Sequence, residues 1–300
     1  MGGRAVPGGG ELSLQPVRAR AKKAGMNERT ILISGCSSGI GLDAARSLRA
    51  RGWRVFASCR KEADCERLRG EGFESPRLDY EDEASIAAAL AEVLSATGGR
   101  LDALFNNGAY AIPGPVEDIP TEALRTIFQA NFIGWHDLTR RVIPVMRAQG
   151  HGRIVQCSSV LGLVAMKWRG AYVATKFALE GLSDAMRLEL AGTGIEVVIV
   201  DPGPIDTPFR QNAIAQFEKW IDWQNSARVA EYRESLLDQL YKGGSKGPQW
   251  PASAVTAKLV HALESSRPRA RYYVTTPTYL MGALRRVLPT RALDWVLSKG

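Results

Sequence analysis

At 300 residues and 45% hydrophobic content, the chain is long enough to bury a sizeable globular core. Half of its formal charge of +8 belongs to the first 25 residues, where Arg4, Arg18, Arg20, Lys22 and Lys23 face only Glu11. The rest is scattered, with no basic run interleaved with aromatics, so a nucleic-acid partner is not expected. The three histidines show no metal-ligand spacing and the four cysteines no paired spacing, so no metal site is expected either.

Residues 1–25 are rich in Gly, Pro, Arg and Ala, without apolar periodicity, and read as a disordered basic tail. They lack the apolar run of a secretory signal, and with reduced thiols this points to a cytoplasmic protein. Met26 stands just before the first strand. An upstream start is one reading of the tail, a targeting arm the other.

From 26 to 300 the pattern is that of one domain. Strands are predicted at 30–34, 53–58, 75–80, 101–107, 153–158 and 195–201. Helices alternate with them: one from the glycine-rich turn through 51, then 61–69, 82–96, 121–149 and 170–191. Pro144 is expected to kink the fourth of these. The uninterrupted apolar run at 195–201 suits a strand covered on both faces. Such alternation implies right-handed βαβ units, hence an α/β fold of Rossmann type: a doubly wound parallel sheet flanked by helices. Past Pro208 the pattern changes. Helical stretches at 209–227 and 229–240, followed by a linker at 242–251, read as a substrate-loop insertion over 209–250. Long loops in this place often act as lids, so a C-terminal helical substrate lid is expected; a helix at 252–264, a strand at 271–276 and a basic amphipathic helix at 279–297 close the chain.

The turn after the first strand reads Ser34-Gly35-Cys36-Ser37-Ser38-Gly39-Ile40-Gly41. Gly35 permits a tight exit from the strand, Gly39 lets backbone amides approach a pyrophosphate, and Gly41 lets the helix pack close. A plain Gly-rich turn is the alternative; the position between first strand and first helix favours the phosphate loop. Tyr172 and Lys176 lie four residues apart on a predicted helix, so both side chains leave one face. Alone they read more readily as a solvated surface pair; the glycine-rich turn upstream changes that. A cation beside the phenol lowers its pKa and suits it to exchange a proton.

The G-x-x-x-G-x-G spacing, together with Y-x-x-x-K, resembles the short-chain dehydrogenase/reductase family, from about Thr30 to beyond Thr207. The resemblance implies a nicotinamide dinucleotide held by Gly35, Ser37, Ser38, Gly39, Ile40 and Gly41. Where the family carries an acidic residue ending the second strand, this chain has Cys59 followed by Arg60. Arg60 offers a planar fork to a 2′-phosphate and no carboxylate opposes it, which favours NADP over NAD. Asp79 resembles the family's adenine contact, and Asn107 and Gly108 its Asn-Asn-Ala-Gly segment with the last two residues exchanged. Pro202, Gly203, Ile205 and Thr207 match its nicotinamide-orienting segment. The implied catalytic set is Asn131, Ser159, Tyr172 and Lys176, with Ser158 a structural neighbour.

The implied reaction is hydride transfer between nicotinamide and a carbonyl or secondary alcohol. Tyr172 would be the proton donor, Ser159 the polariser, Lys176 the group that lowers the Tyr172 pKa and hydrogen-bonds the nicotinamide ribose, and Asn131 the holder of a water; Tyr172 and Lys176 thus count among the cofactor-binding residues too. The run around Tyr172 looks like the hydroxysteroid and retinol dehydrogenase side of the family, which suggests a lipophilic ketone, aldehyde, steroid or retinoid-like substrate. A non-catalytic NADP(H)-sensing protein is the alternative, and the intact four residues argue against it. Phe209, Phe217, Trp220, Ile221, Trp223 and Leu237 either line an apolar cleft or pack as core. The terminal helix has the chemistry to cover the site, touch a membrane surface or contact a second copy; packing is the default. The family's habit of forming homodimers and homotetramers extends the last option by analogy.

Overall fold

Six short apolar segments build the sheet: β1 (Thr30–Ile33), β2 (Arg54–Ala57), β3 (Ala103–Asn106), β4 (Gly152–Cys157), β5 (Ile195–Asp201) and β6 (Arg271–Tyr273). They pair in parallel in the order β2-β1-β3-β4-β5-β6. The structure is a computed structural model and describes residues 1–3, 28–243 and 249–298. The tail expected at 1–25 therefore lies, after its first three residues, outside the described residues. Ile31, Leu32, Ile33, Leu104 and Phe105 are fully buried. A central parallel strand is covered on both faces, so alternation disappears, and each such side chain contributes about 1.5–3 kcal/mol by burial.

The covering helices are α1 (Gly39–Ala50), α2 (Glu62–Gly70), α3 (Glu83–Thr97), α4 (Thr121–Phe128), α5 (Gly134–Gln149) and α6 (Gly170–Glu189). After them come α7 (Phe209–Trp220), the short α8 (Val229–Glu231), α9 (Ala252–Glu264), α10 (Thr276–Val287) and α11 (Thr290–Leu297). Local chemistry sets several boundaries. Asp82 caps α3 by accepting the Ala84 and Ser85 N–H groups at 2.9 and 3.2 Å, and Gly98 (φ 68°) ends it.

Three expectations are corrected. The segment 75–80 is not a strand; isolated bridges from Glu74 to Phe56 and from Arg77 to Cys59, and a Ser75 Oγ hydrogen bond to the Ala57 carbonyl at 2.6 Å, hold it beside the β2 edge. Pro76 has no N–H to extend them. The helix expected over 121–149 is interrupted by a π-helical turn, Gln129–Ile133, whereas α5 continues through Pro144. The helix expected at 279–297 is two helices. Leu288 is extended (ψ 137°) because it precedes Pro289, and α11 starts after that proline. No helix among the described residues is long and apolar enough to cross a membrane.

Two apolar clusters result. The larger joins the sheet to α1, α3, α5 and α9. The smaller packs Phe217, Ile221, Tyr232, Leu236 and Leu240 of the 209–250 region against Ile112, Ile127, Trp168 and Tyr172.

Glu264 ties the end of α9 to the opposite edge of this framework. It accepts from Arg51 Nε at 3.1 Å, Trp53 Nε1 at 3.1 Å and Arg29 Nη2 at 3.4 Å. The Arg51 hydrogen bond, with those of Trp53 and the nearby cations, holds its carboxyl down to about 2, from 4.5. A depressed carboxylate stabilises the fold above its unfolded pKa and stops doing so as pH falls through the folded one. Glu264→Gln is thus expected to lower Tm by roughly 2–4 °C at neutral pH. The difference should shrink between about pH 4.5 and 2 in melts followed by circular dichroism; a difference that does not vary with pH would refute the linkage.

Candidate active site

The carboxyl ends of the strands open into one cleft of about 2670 Å3, where the strand order reverses around β1. Its floor is the turn from β1 into α1. Gly35 (φ 70°) and Gly39 (φ 56°) occupy the left-handed region that side chains disfavour. Space is tight as well. A β-carbon on Gly35 would stand 2.6 Å from Gly108 Cα, and one on Gly41 2.3 Å from the Gly35 carbonyl oxygen. Ser38 starts α1 without a side-chain cap, and no acidic residue occupies the first turn. Ser37, Ser38, Gly39 and Ile40 line the cleft, so the open helix end makes a cradle that fits a pyrophosphate.

Neighbouring segments brace this turn. Asn107 uses its side chain on the loop: Nδ2 donates to the Ser34 carbonyl at 3.1 Å, while its main-chain N–H reaches Ser34 Oγ at 2.9 Å. Gly108 donates to the same hydroxyl at 3.1 Å. Opposite, Pro202, Gly203, Ile205 and Thr207 follow β5 and line the cleft. A β-carbon on Gly39 would meet Thr207 Cγ2 at 2.9 Å, so the two candidate cofactor segments touch.

Arg60 and Asp79 border the far end of the cleft, and Cys59 is buried away from it. The Arg60 guanidinium lies 4.0 Å from Glu81 Oε1. That corrects the expectation of an unopposed cation, although both side chains are well exposed to screening. The Asp79 carboxylate accepts the Glu81 N–H at 3.1 Å and sits 3.8 Å from Arg77.

The four catalytic candidates come from three elements. Ser159 follows β4 and caps a short turn, accepting the Leu161 N–H at 3.1 Å. Asn131 lies in the π-helical turn and is fully buried. Its amide spans the Tyr110 main chain, donating to the carbonyl at 2.7 Å and accepting the N–H at 3.1 Å. Tyr172 and Lys176 leave one face of α6, and both are buried. The solvated surface pair is excluded.

The electrostatics differ from expectation. Lys176 Nζ donates to the Cys157 carbonyl at 2.8 Å and lies 4.4 Å over the Trp135 ring, against 5.6 Å from the Tyr172 ring. The ammonium thus points to a strand end and an indole rather than to the phenol. Burial raises the Tyr172 pKa above its ordinary value; the Cys157 thiol adds to this and the Ser159 hydroxyl opposes it. Burial pulls Lys176 down to about 8, opposed by Cys157, Glu180 and Asp201.

The sequence reading missed the groups behind this pair. Trp135 follows Asn131 by one helical turn, and its indole N–H donates to the Gly108 carbonyl at 3.0 Å. Glu180 follows Lys176 by another turn, so the four-residue spacing that paired Tyr172 with Lys176 reaches it directly. Arg271 approaches Glu180 Oε2 at 2.8 Å. Burial, then Glu180, pushes the Asp201 carboxyl well up, while Arg271 opposes. Of the six candidates for an apolar cleft wall, only Phe209 lines it, edge-on to Tyr172 at 5.4 Å. Phe217 and Ile221 are core, and Trp220, Trp223 and Leu237 pack against it. The lid expectation has a counterpart in Asp294, Leu297 and Ser298, which border the cleft.

The sequence pattern of the short chain dehydrogenase family matches residues 29–218, the stretch that contributes the cradle, Ser159, Tyr172 and Lys176. The chain belongs to that family. It is an oxidoreductase of the class that interconverts CH–OH and C=O. Relatives of this dehydrogenase cover nearly its whole length. An uncharacterized oxidoreductase, YbbO, of Escherichia coli is 39% identical over 270 residues, 90% of this chain and 94% of its own. Human 17-beta-hydroxysteroid dehydrogenase type 6 is 32% identical over 292 residues, 94% of this chain and 92% of its own. Among solved structures, a variant actinorhodin polyketide ketoreductase with NADPH superposes with a TM-score of 0.69 at 26% identity, covering 87% of this chain and 99% of that one.

Lys176 provides a direct check on the dehydrogenase's buried charge. An NMR titration of its Nζ resonance, assigned by loss in Lys176→Met, should give a midpoint near 8, below the ordinary 10.5. A midpoint at or above the ordinary value would refute the desolvation account.

Proposed function

We propose that this chain is an NADP-dependent carbonyl reductase or alcohol dehydrogenase acting on a lipophilic carbonyl/alcohol pair. The observation that carries the reading is the burial of Tyr172 and Lys176 together, beside Ser159, in a cleft whose floor fits a dinucleotide. The nicotinamide, when bound, supplies or accepts hydride. All remaining work falls to the protein.

The carbonyl oxygen of a substrate gains negative charge during reduction, and fixed donors answer that charge. Tyr172 keeps its proton firmly because it is buried, so it reaches that oxygen as an acid rather than as a phenolate. Ser159 donates a second hydrogen bond and orients the carbonyl. Lys176, still an ammonium at neutral pH, stabilises the phenolate left after the proton has moved. Asn131 fixes the Tyr110 main chain and the turn that carries Trp135 under the ammonium. In oxidation the same groups run in reverse, with Tyr172 as the base. Phe209, packed on Tyr172, supports an apolar substrate body, as does the relationship to a hydroxysteroid dehydrogenase. The four cysteines are free and buried, in keeping with a reducing compartment such as the cytoplasm.

The test is NADPH oxidation over a panel of aliphatic, aromatic and steroid ketones and aldehydes. Tyr172→Phe should lose at least about 100-fold in kcat while NADPH still binds. Tight NADPH binding by wild type with no turnover of any carbonyl would sink the catalytic reading. For the cofactor, Arg60→Ala should weaken NADPH binding about 10-fold or more and leave NADH little changed. Calorimetric titration checks this, and wild-type protein that binds NADH more tightly than NADPH would reverse the assignment.

A further inference from the structure

The cleft holds a positive charge that the chemistry above does not use. Arg169 caps α6, three residues before Tyr172, and borders the same cleft. Its side chain makes one hydrogen bond among the described residues, from Nη1 to the adjacent Trp168 carbonyl at 3.3 Å. That oxygen already accepts the Gly114 N–H at 3.0 Å. Three other cations that line the cleft have a carboxylate partner: Lys167 pairs with Glu231 at 2.7 Å, Lys242 with Asp238 at 2.8 Å, and Arg228 with Glu117. Among the described residues no carboxylate pairs with Arg169, and burial alone pulls its guanidinium down to about 10.

Two features around Arg169 reinforce the charge. The 20-residue helix α6 starts here without a side-chain cap and without an acidic residue in its first turn. The first N–H groups of that helix, from Gly170 onward, therefore add a positive dipole end to the guanidinium. Trp168 is the one described non-glycine residue with a positive φ, 68°, and its ring packs against Tyr232 at 5.9 Å. The main chain that carries Arg169 is thus held in a conformation a side chain disfavours. The neighbouring cleft walls include Val116, Leu161, Met166 and Phe209. Arg169 is half-buried, and a ligand can bring the counter-charge that the protein does not supply.

We propose that Arg169 and the open end of α6 form an anion subsite, so that preferred substrates carry an acidic oxyanion group, such as a carboxylate, on the apolar molecule whose carbonyl meets Tyr172. The planar guanidinium fork matches a carboxylate in two-point contact. The inference rests on the carbonyl–alcohol reading of Tyr172 and narrows its substrates to acidic amphiphiles.

The probe pair is an ω-oxo fatty acid and its methyl ester. Wild type should favour the acid by about 10-fold or more in kcat/KM, Arg169→Met should bring the ratio close to one, and Arg169→Lys should restore part of it. Calorimetry with the corresponding saturated fatty acid, which cannot react, gives an independent readout, and its Kd should weaken by a similar factor in Arg169→Met. Melting curves of the variants establish that they fold. Equal use of acid and ester by wild type, or an acid preference that survives Arg169→Met, overturns the subsite and leaves the reductase reading standing. Arg169-dependent binding of the fatty acid without turnover of either probe supports the subsite and counts against the reaction; fatty-acid binding indifferent to Arg169 overturns the subsite.

Discussion

Much of the architecture around the cleft can be traced to one demand, the housing of an ammonium group inside the protein. Lys176 is 1% exposed. Taking a lysine out of water favours its neutral form, and the fold answers with a carbonyl, a ring and two remote carboxyl groups. The carbonyl comes from the last residue of β4, the ring from α5, the carboxyl groups from α6 and β5. A shift in any one of these elements changes the proton affinity of the same amine. The burial cost is fully present below about pH 8 and fades as pH rises toward 10.5, where the unfolded chain binds the proton better.

A second constraint is close approach of main chains. The turn after β1 can lie against the end of β3 because Gly35 and Gly108 lack side chains, and Gly41 lets α1 start directly over that turn. The exchange of residues at Gly108 and Ala109 relative to the family pattern keeps a glycine at this close approach. Glycine stands where the contact with the turn is, and Ala109 packs against the core at the border of the cleft.

Periodic patterns were legible in the sequence, and pairings between distant segments were not. Each of the six observed strands falls within or overlaps a predicted apolar run, because a strand buried on both faces leaves an uninterrupted signal. The segment 75–80 keeps the spacing of a strand with Leu78 and Tyr80, but it sits beside the β2 edge with Pro76, and sequence spacing does not record position in a sheet. The π-helical turn at Gln129–Ile133 keeps helical spacing on both sides, so its one-residue bulge leaves no mark in hydrophobicity. Within the cleft, motif spacing located Ser159, Tyr172 and Lys176. Glu81 beside Arg60 and Arg271 beside Glu180 depend on tertiary contact and had no local signal. The aromatic residues after Pro208 illustrate the remaining gap. Their period gave helices, but whether a ring faces cleft or core is settled by which way those helices dock.

The pairing of Arg271 with Glu180 bears on the order in which the molecule is completed. Arg271 opens β6, the last strand in the chain, and it also lies 3.2 Å from Asp184. Until β6 zips onto β5, Glu180 and Asp201 lack Arg271, and the buried Lys176 is the cation that faces them both. The five earlier strands and the dinucleotide cradle involve residues made before that point. During synthesis, a nascent chain therefore completes the residues of its nucleotide-fitting half well before Arg271, the cation that offsets the carboxyl groups behind Lys176, has been made.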